Sequence, residues 1–241
     1  MGTDTELRER LLRLEESIQA ACRVAGRQRS EIALMAVSKT HPAEAMIEAC
    51  QLGLTLFGEN RVQEFAQKSS TLAADQQAAM RVHLIGHLQS NKAARAVELF
   101  DGIDSLDSLP LAQRLDSAAQ LSSKKMPVLL EIKLSDEPAK TGLVPSSPAL
   151  DELLERLPDL VHLRVEGLMT IAPFGVSDAT TRACFRALRV LRDQLAAAHS
   201  QLDLRQLSMG MSGDFALAIA EGSTRIRVGT ALFGARPLSP S

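Results

Sequence analysis

From residue 32 onward the chain alternates short, almost purely apolar runs with longer stretches of helical periodicity. The runs fall at 32–37, 54–57, 82–85, 102–105, 127–134, 163–170, 206–209 and 224–228. A run without polar alternation suits a strand covered on both faces, and strands that alternate with helices give parallel βα units. About eight such units close a parallel barrel. The expectation is an α/β fold: a single (β/α)8 TIM barrel filling residues 1–241 as one domain. An open doubly wound sheet uses the same units and is the alternative. The length of 241 residues suits one barrel, and no Pro-, Gly- or Ser-rich linker or internal repeat divides the chain.

Ahead of the first run, Leu7, Leu11, Leu14, Ile18 and Ala21 recur at helical spacing. Thr3 and Glu6 have the form of a capping box and Gly26 supplies a stop, so an extra N-terminal helix is expected. Pro42 is expected to open a helix that runs to Gly53, and 179–198 reads as a long helix with Leu188, Leu191 and Leu195 on one face.

Composition narrows the partners. The formal net charge is −2 and Trp and Tyr are absent, which leaves neither a basic footprint nor a stacking platform for nucleic acid. The first residues are polar and charged, unlike a signal peptide, and no apolar run approaches the ~18 residues of a membrane span. Cys22, Cys50 and Cys184 lie far apart without metal-ligand spacing, and read as small core residues in a reducing compartment. The expectation is a cytoplasmic monomer with no metal, no membrane and no nucleic-acid partner.

In a parallel barrel the chemistry sits on the loops that follow the strands. Here those positions hold Lys39, Asn60, His87 with Gln89, Asp107, Lys140, Thr170, Ser208 with Ser212, and Arg227 with Gly229 and Thr230. Lys39 ends an apolar strand, where burial of an amine favours the neutral nucleophile that a Schiff base needs. A lysine that snorkels to solvent fits the same position. Ser212, Gly229 and Thr230 follow the last two runs, a recurrent phosphate site in barrels, and offer N–H and O–H donors with close backbone approach. An ordinary turn and strand exit would use the same residues. Because the eighth strand closes against the first, a phosphate there would lie within one small molecule's length of Lys39. That spacing suits a phosphorylated aldehyde or ketone. Alternation along 225–228 places Arg225 and Arg227 on one face, and an arginine inside a barrel needs an acceptor.

Several uncommon strings occur in a fixed order: Ala36-Val37-Ser38-Lys39-Thr40, Phe57-Gly58-Glu59-Asn60, Gly86-His87-Leu88-Gln89-Ser90-Asn91-Lys92, Ser208-Met209-Gly210-Met211-Ser212, Gly222-Ser223-Thr224 and Arg227-Val228-Gly229-Thr230. Together, over about residues 31–236, they resemble the pyridoxal phosphate homeostasis protein family. The resemblance implies a (β/α)8 barrel like the N-terminal domain of bacterial alanine racemase. It also implies a protein that binds and buffers pyridoxal 5′-phosphate, with apo-enzymes that depend on this cofactor as potential partners. Position by position it implies Lys39 as the Schiff-base lysine, Arg227 facing the pyridine nitrogen, Ser212, Gly229 and Thr230 as the phosphate cradle, and Asn60 near the ring. Lys140 resembles a family loop lysine that could accept the cofactor secondarily; a solvated loop lysine is the other reading. Gly213 after Ser212 and Arg61 after Asn60 depart from commoner family strings, and neither bears on Lys39.

A guanidinium against the ring nitrogen keeps that nitrogen unprotonated and weakens the cofactor as an electron sink. The related racemase fold uses a tyrosine as its second acid/base, and this sequence has none. The expectation is a carrier without catalytic residues, not an enzyme. Two alternatives stay open. One is a weak racemase or decarboxylase dependent on pyridoxal phosphate, with His87 as its base; the other is a class I aldolase-like barrel in which Lys39 attacks a sugar phosphate.

Overall fold

A computed structural model describes residues 2–135, 137 and 140–235, without the side chains of residues 2–4. Eight parallel strands form one closed barrel: β1 (Ala33–Val37), β2 (Leu56–Glu59), β3 (Arg81–Leu84), β4 (Gly102–Leu106), β5 (Met126–Glu131), β6 (Leu163–Met169), β7 (Gln206–Ser208) and β8 (Arg225–Val228). Each pairs with its neighbours in chain order. The seam is closed by β1 against β8, from Ala33 opposite Arg225 to Ala36 opposite Val228, which excludes the open doubly wound sheet.

All eight apolar runs are strands, with two informative shifts. The run at 54–57 begins two residues late and continues through Gly58 and Glu59. Gly58 belongs in the sheet because a Cβ there would come within 2.8 Å of Met35 Sδ, and Glu59 can be buried because Ser38 and Lys68 bond its carboxylate. The run at 127–134 ends early, at Glu131; beyond it Ile132 makes an isolated bridge to Leu143, as the returning chain takes over the pairing.

The N-terminal helix, Gly2–Ala25, buries Leu7, Leu14, Ile18 and Cys22, and Gly26 ends it at a φ of +66°. The side chain of Thr3, expected to cap it, lies outside the described residues, as do Asp136, Pro138 and Ala139 of the loop before Lys140. The helix packs against Phe215–Ala220 and Thr230–Phe233, the helices that follow β7 and β8. Arg27 fixes it by donating from Nη1 to Ile219 O at 3.1 Å and Ser223 O at 2.5 Å. Pro42 caps its helix from outside: with ψ of 167° it is still extended, and the helix is Ala43–Gln51. The long helix is Asp178–Ala198, with Ser177 Oγ accepting from Thr180 N at 3.2 Å. Cys22 and Cys184 are buried and Cys50 is half-buried; all three are free thiols.

The barrel interior is partly ionic. Arg225 and Arg227, alternate residues of β8, both face inward and are buried. Arg225 Nη1 donates to Asp104 Oδ2 at 2.8 Å across the barrel, and His83 Nδ1 lies 2.8 Å from Asp104 Oδ1. Burial would raise the Asp104 carboxyl, but His83 and Arg225 overcome it and hold the group at about 2.

Candidate functional site at the carboxyl end of the barrel

The loops that follow the strands enclose a cavity of about 550 Å³. Its wall contains all six residues expected to bind the cofactor: Lys39, Asn60, Ser212, Arg227, Gly229 and Thr230. They come from four places in the chain, after β1, β2 and β7 and on or after β8, and barrel closure sets the last two beside the first.

Lys39 stands two residues beyond β1, after Ser38, whose amide donates to Gly58 O at 3.2 Å. Asn60 directly follows β2. Gly86, after β3, lets that loop lie against it, since a Cβ on Gly86 would be 2.3 Å from Asn60 O. Arg227 forms part of the wall. Its Nη1 donates to Ser208 O at 2.7 Å and Ser208 Oγ at 2.8 Å, and its Nη2 donates to Thr170 O at 2.8 Å. These are neutral oxygens, so burial pulls the guanidinium below its usual range, opposed by the field of Asp104, Asp214 and Glu131. An arginine stays protonated through such a change. Thr170 and Ser208, expected among the site residues, thus serve to hold Arg227.

On the far side two loops meet. Gly210, at a φ of +96°, turns the chain after β7, and its carbonyl accepts from Arg227 N at 3.0 Å. Ser212 Oγ accepts from Ala231 N at 3.4 Å, which joins this loop to the start of the helix Thr230–Phe233. Gly229 precedes that helix and lies against β1: a Cβ there would be 3.2 Å from Val37 O. Backbone amides, two hydroxyls and the absence of a side chain at Gly229 make this a concave surface suited to an anion.

The remaining wall holds Glu131, Ile171 and Phe174, which the sequence did not single out, beside His87, which it did. Glu131, at the end of β5, is buried with long contacts from the Thr141 hydroxyl at 3.3 and 3.4 Å, and burial together with the nearby Asp107 raises its carboxyl. An acid inside the apolar run 127–134 was the available signal. His87 Nδ1 is 3.0 Å from Asp107 Oδ2, so the imidazole is oriented at the rim. Ile171 and Phe174, from the loop after β6, give an apolar edge, and Phe174 is 96% exposed. Lys140 turns away to Glu137 Oε1 at 2.9 Å and Ala172 O at 3.0 Å, and lines an adjoining depression. Among the described residues no group of three His, Cys, Asp or Glu could hold a metal, and no helix is long and apolar enough to cross a membrane.

The arrangement offers a primary amine, an anion cradle one strand away, and a buried guanidinium in the same wall. Comparison with known proteins agrees with that chemistry. Residues 11–237 match the alanine racemase N-terminal domain family. The chain is 43% identical over 227 residues to the pyridoxal phosphate homeostasis protein of Vibrio cholerae serotype O1, covering 93% of this chain and 92% of that protein. It is 39% identical over 239 residues to the protein of the same name from Escherichia coli K12, covering 97% and 98%. Among solved structures, PipY of Synechococcus elongatus PCC7942 with pyridoxal phosphate bound is 42% identical with a TM-score of 0.81, covering 95% of this chain and 100% of that one. Alanine racemase of Clostridium difficile shares the fold at 19% identity and a TM-score of 0.68, with 97% of this chain on 57% of the enzyme. The chain belongs to the pyridoxal phosphate homeostasis protein family, within the fold of the alanine racemase N-terminal domain.

Proposed function

We propose that this chain is a one-domain carrier of pyridoxal 5′-phosphate, which it holds as a Schiff base on Lys39 and yields to apo-enzymes without substantial turnover of its own. The observation that carries this reading is the convergence of Lys39, Asn60, Ser212, Arg227, Gly229 and Thr230 on one cavity at the β1–β8 seam.

The residues present fit the group. The cradle of Ser212, Gly229 and Thr230 has the donors and the close backbone approach that a phosphate requires. When bound, the cofactor supplies an aldehyde electrophile and an electron-withdrawing ring. Lys39 would supply the amine that holds that aldehyde. Arg227 would face the ring nitrogen as a donor that stays charged, and would leave that nitrogen unprotonated. Asn60 would lie beside the ring, and Ile171 and Phe174, which line the same cavity, would limit the ring's contact with water. No tyrosine exists anywhere in the chain to act as a second base, which supports carriage over racemisation.

The test is transfer. Loaded protein mixed with an apo-enzyme that depends on pyridoxal phosphate restores that enzyme's activity, while amino acids offered to the loaded protein alone remain unconverted and keep their chirality. Steady racemisation or decarboxylation that disappears in His87→Ala would make the chain an enzyme and sink the carrier reading.

A further inference from the structure

Both chain neighbours of Lys39 are tied to one buried ion cluster. Ser38 Oγ donates to Glu59 Oε1 at 2.7 Å, and Ser38 O accepts from Lys68 Nζ at 3.0 Å. Thr40 N donates to Glu64 Oε1 at 2.6 Å. The same Lys68 Nζ bridges the two acids, at 2.7 Å from Glu59 Oε1 and 2.8 Å from Glu64 Oε1. The side chains of Glu59 and Lys68 are 0% and 9% exposed.

Two features argue that this cluster does more than stabilise. Thr40 has a φ of +66°, a left-handed conformation that a β-branched residue rarely adopts and that persists only where the surroundings enforce it. The bond from its amide to Glu64 is such a constraint. Buried ion pairs are also poor sources of net stability, because desolvation offsets their attraction. Glu64 and Lys68 lie four residues apart on the helix Val62–Ser69, so both reach the Lys39 segment from one face, and Val62 and Phe65 anchor that helix in the core.

We propose that Lys68 and Glu64, with Glu59, are positioning residues: they clamp Ser38 and Thr40 so that the Lys39 amine meets an aldehyde in the cavity at a productive angle. This rests on the assignment of Lys39 as the cofactor lysine. The reaction served is condensation, in which a C=N bond forms, the aldehyde oxygen leaves as water, and no electrons are exchanged with a third species.

The experiment compares two ligands. Pyridoxal 5′-phosphate can condense with Lys39, and the product is trapped over time with borohydride; pyridoxine 5′-phosphate carries an alcohol in place of the aldehyde and reports binding alone. Lys68→Met is expected to slow attachment by about tenfold while the Kd for pyridoxine 5′-phosphate stays within about twofold, since misplacing one reacting atom affects rate before affinity. Lys68→Arg should recover part of the rate. Glu64→Ala, at a side chain 26% exposed, removes the acceptor for Thr40 and should slow attachment by about threefold; it decides the matter should Lys68→Met fail to fold. Folded variants that attach at the wild-type rate would overturn the proposal. So would a parallel loss of attachment and pyridoxine 5′-phosphate binding, which marks a purely structural role. A wild-type protein that binds neither ligand refutes the cofactor reading itself, and does so before any variant is made.

Discussion

Two charged side chains share the cavity under opposite conditions. Arg227 is satisfied by three oxygens, while Glu131 is buried with contacts at 3.3 and 3.4 Å and a carboxyl raised above its ordinary value of 4.5. The folded protein therefore binds the Glu131 proton more tightly than the unfolded chain does. Well below its ordinary value of 4.5 the group is neutral in both states and costs nothing; as the pH rises from there through the folded value, the unfolded chain ionises first and stability is lost. Glu131→Gln should accordingly raise stability at pH 8 by about 1 kcal/mol and leave it unchanged at pH 4. Urea melts at the two pH values check this, and equal effects at both would contradict it. Lys39 and Arg227 were legible from the sequence because each breaks a pattern, one ending an apolar run and the other alternating with apolar neighbours. Glu131 was hidden because strand and loop merged in the run 127–134. The Glu59–Lys68–Glu64 cluster was hidden because its members are ordinary surface residue types until the fold buries them.

At the scale of elements, the cradle depends on how β7 meets β8. These strands share one registered pair, Ser208 with Arg225, so other bonds must hold the seam. The buried Ser223 hydroxyl lies 2.7 Å from Met209 O, 3.1 Å from Arg225 O and 3.3 Å from Leu207 O, and Thr224 Oγ1 accepts from Leu207 N at 2.8 Å. The string Gly222-Ser223-Thr224, part of the family resemblance, is thus a fastener outside the candidate cavity, whose wall it does not join. Ser223→Ala should lower stability by about 1–3 kcal/mol, the range for leaving a buried carbonyl, here Met209 O, without its donor. Denaturant titration measures this; a change under a few tenths of a kcal/mol would show that the seam holds without the hydroxyl. Strand identity was readable from apolar runs, but strand ends were not. The run 54–57 stopped short of Gly58 and Glu59 because sequence carries no sign of Met35 and Lys68 waiting on either side.

Over the whole molecule, closure is what creates the site. Lys39 and the pair Gly229 and Thr230 are about 190 residues apart in the chain, and the β1–β8 seam makes them neighbours. The buried Arg225–Asp104–His83 set ties β8 across to β3 and β4 beneath them, and the N-terminal helix packs behind the helices after β7 and β8. Count and order of the βα units foretold the barrel, and the barrel in turn told which loops converge. The electrostatic interior was foreseen only as a demand that Arg225 and Arg227 find acceptors; which acceptors is a property of cross-barrel distance. The measurement that bears most directly on Lys39 as the cofactor lysine is borohydride reduction of protein loaded with pyridoxal 5′-phosphate, followed by peptide mass mapping, beside Lys39→Ala. The account predicts a pyridoxyl adduct on the peptide that carries Lys39, and its loss in a variant that remains folded. An unmodified Lys39, with the adduct on another lysine such as Lys140 or on none, would contradict it.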